Sequence, residues 1–303
     1  MRYFYFNPFT KQYYFPEGFQ KYPLFTSFYK PYKMIARITW LIWRNSSLLR
    51  YLSTTIHPEN YLPFEQIKQF VPSDSILAFN LGSTGIENKI TILGVVPTTN
   101  ETFFIKYAIT EVSCLNVYNE GLVLEQISHL NFVPKLKLNE KVDHVFTLIK
   151  TDVLQGEKIK LPTLNVQIMD LLYVLSAQKV TCNRQFNSDL AHCFAHGDFC
   201  PWNILTYNDN LQVFDWELAG DYPLGYDLFT YIFQYEFLVN ENMRFESILN
   251  ENSNFIYQYF NHFNVENWIP YLKEFSTLKY QFESEKNDVE FKKYFLRLKE
   301  FAV

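Results

Sequence analysis

The chain has 303 residues, and 19% of them are aromatic, whereas only nine are glycine. An apolar fraction of 48% with only 19% charged residues excludes a chain that is disordered throughout. The scarcity of glycine excludes collagen-like repeats and glycine-rich linkers, and the length favours two packed lobes or one large domain with an extension. The net charge of −5 argues against a general nucleic-acid-binding protein, so we expect no nucleic-acid partner.

Charge and cysteine usage bound the setting further. Residues 1–60 contain eight Lys or Arg and two Glu, and the rest of the chain carries a net charge of −11. Four cysteines without a C-x-x-C pair make no disulfide framework in a chain of this length, so we expect a reducing, cytoplasmic setting. The most apolar early stretch, residues 34–43, is too short to span a bilayer, and prolines interrupt the apolar run of a signal peptide.

Residues 1–70 are predicted to form an extension in front of the main body. Clusters of Tyr and Phe alternate with Pro and Lys, and a helix is expected over residues 34–52. We expect these aromatic side chains to pack on the main body as an accessory layer. Two alternatives stay open: peripheral contact with an anionic membrane through residues 1–60, and a docking arm for a partner.

The main body begins as a set of strands and continues as helices. Apolar and β-branched runs predict strands over residues 75–81, 90–96, 102–108 and 145–150, with a helix over about residues 117–130. Helical periodicity follows over residues 164–179 and from residue 227 onward. Between these helices, residues 203–206 and 211–216 form a hairpin around the turn at 208–210. The pattern predicts an α+β protein.

The densest group of polar residues surrounds this hairpin. Asp198 and Asn203 are five residues apart on a loop that leads into the first strand, and Asp215 ends the returning strand. The hairpin can therefore bring all three side chains to one end. Phosphoryl transfer uses such a set, because one aspartate accepts the proton of an attacking hydroxyl while an asparagine and a second aspartate hold Mg²⁺.

Two motifs carry a resemblance to a known family. Residues 196–203 read H-G-D-x-x-x-x-N, and residues 214–217 read F-D-W-E. In these motifs, and over about residues 75–235, the sequence resembles the aminoglycoside phosphotransferase and choline kinase superfamily, small-molecule relatives of the protein kinases. The resemblance implies a bilobal protein-kinase-like fold, with an antiparallel sheet and one helix at residues 71–150 and a mainly helical lobe at residues 151–303.

The resemblance also implies roles for the residues of the two motifs. Asp198 would be the catalytic base, and His196 would orient its loop. Asn203 and Asp215 would hold Mg²⁺, and ATP would supply the phosphoryl group. Asp227, further along the chain, would support the catalytic loop from below.

The upstream half supplies candidates for the nucleotide site. Lys106 lies amid apolar neighbours in the third strand, where such kinases place the lysine that contacts the α- and β-phosphates. Glu120, at the start of the next helix, is its expected partner, and Glu125 is the alternative. The segment from Gly82 through Ser83 and Thr84 to Gly85 is a short G-x-x-G turn that could cradle phosphate with its backbone amides. It departs from the G-x-G-x-x-G loop of protein kinases.

After residues 145–149 we expect a hinge between the lobes. Lys150, Thr151 and Asp152 would lend backbone groups to the adenine ring. The predicted function is ATP-dependent phosphorylation of a hydroxyl on a small molecule, and the rival is a nucleotide-binding pseudokinase scaffold. Residues 151–303 contain 12 basic and 21 acidic side chains. An acidic site would favour a cationic acceptor such as an amino sugar or a choline-like amine, but a solvated acidic surface explains the same count.

Overall fold

The computed structural model describes residues 2–6, 12–29, 34–52, 55–56, 63–82, 85–142, 145–159, 163–240, 244–286 and 289–302. The chain divides into two compact units. Met1–Gly121 and Lys135–Val153 form the first, and Leu122–Pro134 and Leu154–Val303 form the second. The predicted boundaries at residues 70 and 150 differ from this division: the first 70 residues belong to the first unit, and the second boundary falls three residues later.

The first unit is built on one antiparallel sheet. Its strands are β1 (Tyr3–Phe6), β2 (Tyr13–Pro16), β3 (Thr55–Ile56), β4 (Ile76–Asn80), β5 (Lys89–Val96), β6 (Glu101–Ala108), β7 (Leu136–Val142) and β8 (Phe146–Thr151). They lie in the order β3-β1-β2-β4-β5-β6-β8-β7, and every neighbouring pair is antiparallel. The helices of this unit are α1 (Pro23–Thr26), α2 (Met34–Asn45), α3 (Ser47–Leu52), α4 (Phe64–Lys68) and α5 (Glu111–Gln126), and α5 continues into the second unit.

Strand β6 shows how the sheet sorts its side chains. Successive residues of a strand point to opposite faces, and Phe103, Ile105 and Tyr107 accordingly join one apolar cluster, which α4 covers with Phe64 and Ile67. The alternate residues of β6 face the other way. The sequence thus directs the Lys106 side chain to the face opposite this cluster.

The N-terminal segment covers the other face of the sheet and also extends it. Its aromatic side chains pack with residues of β4 and β5 in one buried cluster, whose members are Phe4, Phe6, Tyr13, Phe15, Phe19, Phe25, Tyr29, Trp40, Trp43, Ala78, Leu93 and Val95. Strand β2 pairs directly with β4, with Tyr13 opposite Asn80 and Tyr14 opposite Phe79. These residues are therefore an integral part of the first unit rather than an extension. Two four-residue strands are too short to display a clear period of two, which is why the sequence pattern concealed them.

The predicted helix over residues 34–52 is two helices in the structure. They are separated at Ser46, whose Oγ accepts a hydrogen bond of 3.2 Å from the Leu49 backbone N–H. A serine in this position caps the N-terminus of a new helix. The break lets α3 leave the direction of α2.

The second unit is mainly helical, as predicted. Its helices are α6 (Val166–Ser176), α7 (Tyr226–Leu238), α8 (Phe245–His262), α9 (Ile269–Lys286) and α10 (Val289–Phe301). Its strands are β9 (Glu157–Lys158), β10 (His192–Ala195), β11 (Ile204–Tyr207), β12 (Asn210–Val213) and β13 (Gly220–Pro223). The β11–β12 hairpin pairs with β9, and β10 pairs with β13, in both cases antiparallel. None of the described helices combines the length and the apolar character that crossing a membrane requires.

Candidate functional site

The loop between β10 and β11 is anchored by one buried carboxylate, that of Asp227. Asp227, in the first turn of α7, accepts hydrogen bonds from the backbone N–H groups of His196 at 2.6 Å and Gly197 at 3.0 Å. Burial raises the pKa of the Asp227 carboxyl, while the two amide donors and the charge of Lys279 act in the opposite direction. The expectation that Asp227 supports this loop is confirmed.

The imidazole of His196 connects the loop to the neighbouring hairpin. Its Nδ1 accepts a hydrogen bond of 3.2 Å from the Asp198 backbone N–H, and its Nε2 lies 3.0 Å from the Phe214 carbonyl oxygen. The first contact needs an unprotonated Nδ1 and the second a protonated Nε2, so the geometry selects the neutral tautomer with the proton on Nε2. His196 is fully buried, and the ring of Trp216 packs against it with centroids 4.6 Å apart. His196 orients the loop as a neutral group.

Glycine is required between His196 and Asp198. Gly197 has φ +83°, and a Cβ atom there would lie 2.2 Å from the Leu218 carbonyl oxygen. A side chain would combine left-handed backbone strain with a collision against the main chain. Only glycine fits this turn, which directly follows the two amides that point at Asp227.

Asp198 has a positioned carboxylate. Asn203 Nδ2 donates to Asp198 Oδ2 and to the Asp198 carbonyl oxygen, each at 2.9 Å. The Cys200 thiol lies 3.3 Å from Asp198 Oδ1 and 2.6 Å from Gln234 Oε1. The side chain of Asp198 is half-buried, so it remains accessible while its orientation is set. Such a carboxylate can accept a proton from a hydroxyl.

The hairpin brings Asn203 and Asp215 to one end, as predicted. The Phe214 backbone N–H donates to the Asn203 carbonyl oxygen at 3.1 Å, which extends the β11–β12 ladder by one step beyond the pair Ile204 and Val213. Asp215 follows directly and has φ +73°, a left-handed conformation that turns the chain away from the strand. Strained backbone of this kind is typical of functional positions.

The oxygen atoms at this end suit a divalent cation of the Mg²⁺ type. Asn203 uses its Nδ2 for Asp198, which leaves its amide Oδ1 for a ligand, and Asp215 contributes a half-buried carboxylate. Carboxylate and amide oxygens are the ligands that Mg²⁺ prefers. The residues present therefore fit the metal that the sequence implied.

The first unit contains the predicted pair of a lysine and a glutamate. Lys106 Nζ on β6 lies 2.5 Å from Glu120 Oε2 on α5, and both side chains are buried, with 7% and 3% exposed. Glu120 is therefore the partner of Lys106. A buried ammonium and carboxylate stabilise each other only when they are held in register, which the sheet and the helix do here.

The turn after β4 retains part of its predicted character. Gly82 has φ +70°, and a Cβ atom would lie 2.8 Å from the Lys89 carbonyl oxygen, so the turn requires glycine. The Gly82 backbone N–H donates to Asn80 Oδ1 at 3.1 Å, and Gly85 has φ +149° with open space around it. Ser83 and Thr84 lie outside the described residues. The phosphate contact of this turn stays a prediction.

The segment predicted as the hinge, residues 150–152, already makes other contacts in the structure. The Asp152 backbone N–H donates to the Lys135 carbonyl oxygen at 3.0 Å, and Asp152 Oδ1 accepts from the Lys135 backbone N–H at 2.6 Å. Lys150 directs its Nζ over the Phe103 ring, at 4.6 Å from the centroid. The Asp152 N–H is thus already paired, and Lys150 and Thr151 lie within β8, which pairs with β6 on one side and with β7 on the other. The adenine contact of residues 150–152 stays a prediction.

One residue near the loop was missed by sequence reasoning. Lys279 on α9 is 4% exposed, and its Nζ lies 5.2 Å from the centroid of the Tyr226 ring, directly beside Asp227 in the chain. Its position was a readable signal, because it comes seven residues after the buried Leu272 and four after the buried Phe275. Helical periodicity predicts an apolar residue there. The lysine supplies positive charge beneath the loop, and that charge lowers the Asp227 pKa.

Comparison with known proteins agrees with this arrangement. Residues 164–247 match the model of the phosphotransferase enzyme family (APH), and this match includes the loop, the hairpin and Asp227. A comparison with the curated proteins finds no match.

Solved structures share the fold at low sequence identity. Amicoumacin kinase hAmiN, in complex with AMP-PNP, Ca²⁺ and Ami, has a TM-score of 0.52 and 13% identity, covering 82% of this chain and 96% of its own. A thermostable mutant of aminoglycoside phosphotransferase APH(4)-Ia, with ADP and hygromycin B, has a TM-score of 0.54 and 11% identity, covering 80% and 97%. The kinase-like fold predicted from the sequence is therefore confirmed.

The family match and the fold point to the same class of protein. The matched segment contains both motifs on which the resemblance rested, and the sheet of the first unit and the helices of the second correspond to the fold of small-molecule kinases. Residues 164–247 are therefore similar to the phosphotransferase enzyme family, and the fold of the chain is kinase-like.

Proposed function

We propose that this chain transfers the γ-phosphoryl group of ATP to a hydroxyl of a small molecule, with Asp198 as the base. The observation that carries the proposal is the orientation of the Asp198 carboxylate by Asn203 in a loop tied to Asp227 and Phe214. Positioned groups and electrostatic stabilisation account for most of the rate of phosphoryl transfer. Two hydrogen bonds to Asp227, one to Phe214 and one from Asn203 supply such positioning for the loop.

The second unit provides the groups for proton removal and metal binding. Asp198 accepts the proton of the acceptor hydroxyl, and its contact with Asn203 keeps the carboxylate in one orientation. Asn203 and Asp215 hold Mg²⁺, which when bound neutralises charge on the phosphates. His196 stays neutral and keeps the loop in register with Phe214.

The first unit provides the cation for the nucleotide phosphates. Lys106 is held by Glu120, so its ammonium has one fixed position rather than many rotamers. Ordering the side chain in advance removes an entropic cost from nucleotide binding. Backbone amides of the turn at residues 82–85 are the further phosphate contacts that we propose.

The proposed acceptor is a hydroxylated small molecule of the amino sugar, aminoglycoside, choline-like amine or sugar class. The excess of acidic side chains in residues 151–303 supports a cationic acceptor. Lys279 sits behind the loop against Tyr226, where it offsets the charge of Asp227. The positive charge of Lys279 therefore does not argue against a cationic acceptor.

A phosphate-transfer screen tests the function. The full chain is incubated with ATP and Mg²⁺ against amino sugars, aminoglycosides, choline-like amines and simple sugars, and transfer is followed by ADP release and by the mass of the product. We expect transfer to at least one class, and a loss of about 10²- to 10⁴-fold in kcat for Asp198→Asn, because a general base contributes on that order.

The matched control is Asp209→Asn at the exposed turn of the same hairpin. Asp209 has φ +62°, and asparagine tolerates that conformation well, so this variant should keep full activity. Nucleotide binding is measured separately by thermal stabilisation. ATP binding without transfer to any acceptor, and unchanged by Asp198→Asn, would establish a scaffold instead of an enzyme.

A further inference from the structure

Helix α2 presents apolar side chains on both of its sides. Ala36, Trp40 and Trp43 are buried against the first unit. The solvent side of α2 is also apolar, and all its large aliphatic residues are at least 46% exposed: Met34, Ile35, Ile38, Leu41 and Ile42. With about 100° per residue in a helix, these five residues lie within one stripe opposite the two tryptophans.

Helix α3 continues this exposed apolar surface. None of its residues is buried, and Leu48, Leu49 and Leu52 are 68%, 41% and 74% exposed. We call the eight residues of α2 and α3 the outer ridge; its members are Met34, Ile35, Ile38, Leu41, Ile42, Leu48, Leu49 and Leu52. Single exposed leucines are ordinary on protein surfaces, but eight exposed aliphatic side chains on two successive helices mark an interaction site.

The sequence that contains the outer ridge is basic. Residues 18–58 contain six Lys or Arg and no Asp or Glu, although the whole chain has a net charge of −5. Arg37 and Arg44 are seven residues apart and lie on the same flank of α2, beside the ridge. The occupant of this surface must therefore combine apolar material with negative charge.

We propose that the outer ridge binds the surface of an anionic lipid bilayer. The aliphatic side chains enter the boundary between headgroups and acyl chains, to a depth of roughly 5–10 Å. Arg37 and Arg44 remain at the level of the lipid phosphates. This role is independent of the proposed kinase activity.

A second copy of the chain suits this surface less well. In a two-fold contact the same patch lies on both sides, so Arg37 and Arg44 would face the cations of the other copy. Residues 18–58 contain no acid that could neutralise them.

A protein partner suits it less well for a different reason. Protein interfaces are anchored by aromatic side chains. Here Trp40 and Trp43 face inward, and the exposed ring of Tyr51 on α3 has the Arg2 guanidinium 4.5 Å from its centroid, so the ridge itself is aliphatic.

The buried side of α2 holds the helix so that the outer ridge faces solvent. Trp40 stacks on Trp43 with centroids 5.6 Å apart, and both rings contact Phe6 and Phe15 of the sheet. Arg50 donates to the carbonyl oxygens of Trp43 and Arg44, which ties α3 to the end of α2. The ridge is thus presented by a packed helix and does not have to fold when it meets the membrane.

Vesicle sedimentation with the full chain tests the proposal. Binding is compared between vesicles of phosphatidylcholine and vesicles of an equal mixture of phosphatidylcholine and phosphatidylglycerol. We expect at least about tenfold tighter partitioning to the anionic vesicles, since each cation at the surface contributes roughly fivefold. Ile38→Glu/Leu41→Glu should reduce it by at least about tenfold, and so should Arg37→Gln/Arg44→Gln.

The matched control is Ile109→Glu/Val289→Glu, which adds the same charge at two exposed apolar positions outside the ridge. It should bind anionic vesicles within about twofold of the original chain, and thermal unfolding checks that all variants are folded. Equal binding to both vesicle types, no binding, or equal loss in the control would overturn the proposal. Light scattering that shows a dimer, dissociated by Ile38→Glu/Leu41→Glu, would assign the ridge to a second copy instead.

Discussion

A single buried carboxylate controls the geometry of the candidate catalytic loop. Asp227 has two oxygen atoms, and each accepts one backbone N–H from consecutive residues of the loop. An amide side chain could not replace both contacts, because it has only one acceptor oxygen. The backbone N–H groups of His196 and Gly197 are both fixed by this contact.

We predict that Asp227→Asn keeps the fold but weakens it and impairs catalysis. One of the two amides then faces an NH₂ group, and an unsatisfied buried donor costs roughly 1–3 kcal/mol in the free energy of unfolding. The kcat for phosphate transfer should fall with little change in ATP binding. Chemical denaturation and steady-state kinetics measure the two effects, and Asp189→Asn, at an exposed position, is the control.

The raised pKa of Asp227 gives the same variant a pH signature. A carboxyl whose pKa is higher in the folded than in the unfolded chain takes up protons on folding, so its contribution to stability falls as pH rises through the folded pKa. Asparagine has no such dependence. The stability difference between the two proteins should therefore narrow with rising pH, and a difference that widens would show that the amide donors outweigh burial.

The buried pair of Lys106 and Glu120 allows stability and nucleotide binding to be separated. Lys106→Met leaves a buried carboxylate uncompensated and should cost about 3–5 kcal/mol in the free energy of unfolding. The double variant Lys106→Met/Glu120→Gln removes both charges and should recover much of that loss. If Lys106 contacts the phosphates, the double variant still binds ATP poorly by calorimetry; restored ATP affinity would refute that role.

At the scale of elements, the N-terminal segment, which was expected to be an extension, forms part of the buried core of the first unit. Strands β1 and β2 lengthen the sheet, and α2 covers one face of it with Trp40 and Trp43. The sequence indicated the packing of aromatic residues on the main body but not the strands that carry them. Pairing between β2 and β4 joins residues about sixty positions apart, and no local pattern encodes such a partner.

Trp40 should be the most sensitive residue of α2. Its ring contacts those of Phe6, Phe15 and Trp43, so Trp40→Ala leaves a cavity that should lower the free energy of unfolding by about 3–5 kcal/mol. Ile42→Ala, two residues away on the exposed side, should change it by no more than about 0.5 kcal/mol. Urea denaturation measures both, and equal losses would mean that α2 is not packed as described.

At the scale of the whole molecule, the sequence predicted contacts between residues that are close along the chain better than contacts between distant ones. The arrangement of residues 196–217 was predicted almost entirely, because they lie on one loop and one hairpin and their spacing fixes their neighbourhood. The catalytic and metal-binding roles of Asp198, Asn203 and Asp215 stay predictions. The pair of Lys106 and Glu120 was predicted from order and type. Lys279 was not, because it reaches the loop from a helix more than fifty residues beyond Asp227. The outer ridge is a further example. The basic character of residues 18–58 is visible in the sequence, but only the structure shows that aliphatic side chains are exposed beside them.

The strand order also bears on how the chain is made. Residues 3–16 leave the ribosome before residues 76–80, so β2 must wait for β4, and at about 5–20 residues per second this wait lasts on the order of seconds. During that time two strands in which seven of eight residues are tyrosine or phenylalanine have an open edge and no sheet to join. The nascent chain is therefore most vulnerable to aggregation early in synthesis, and slowing translation after residue 16 should increase its demand for chaperones.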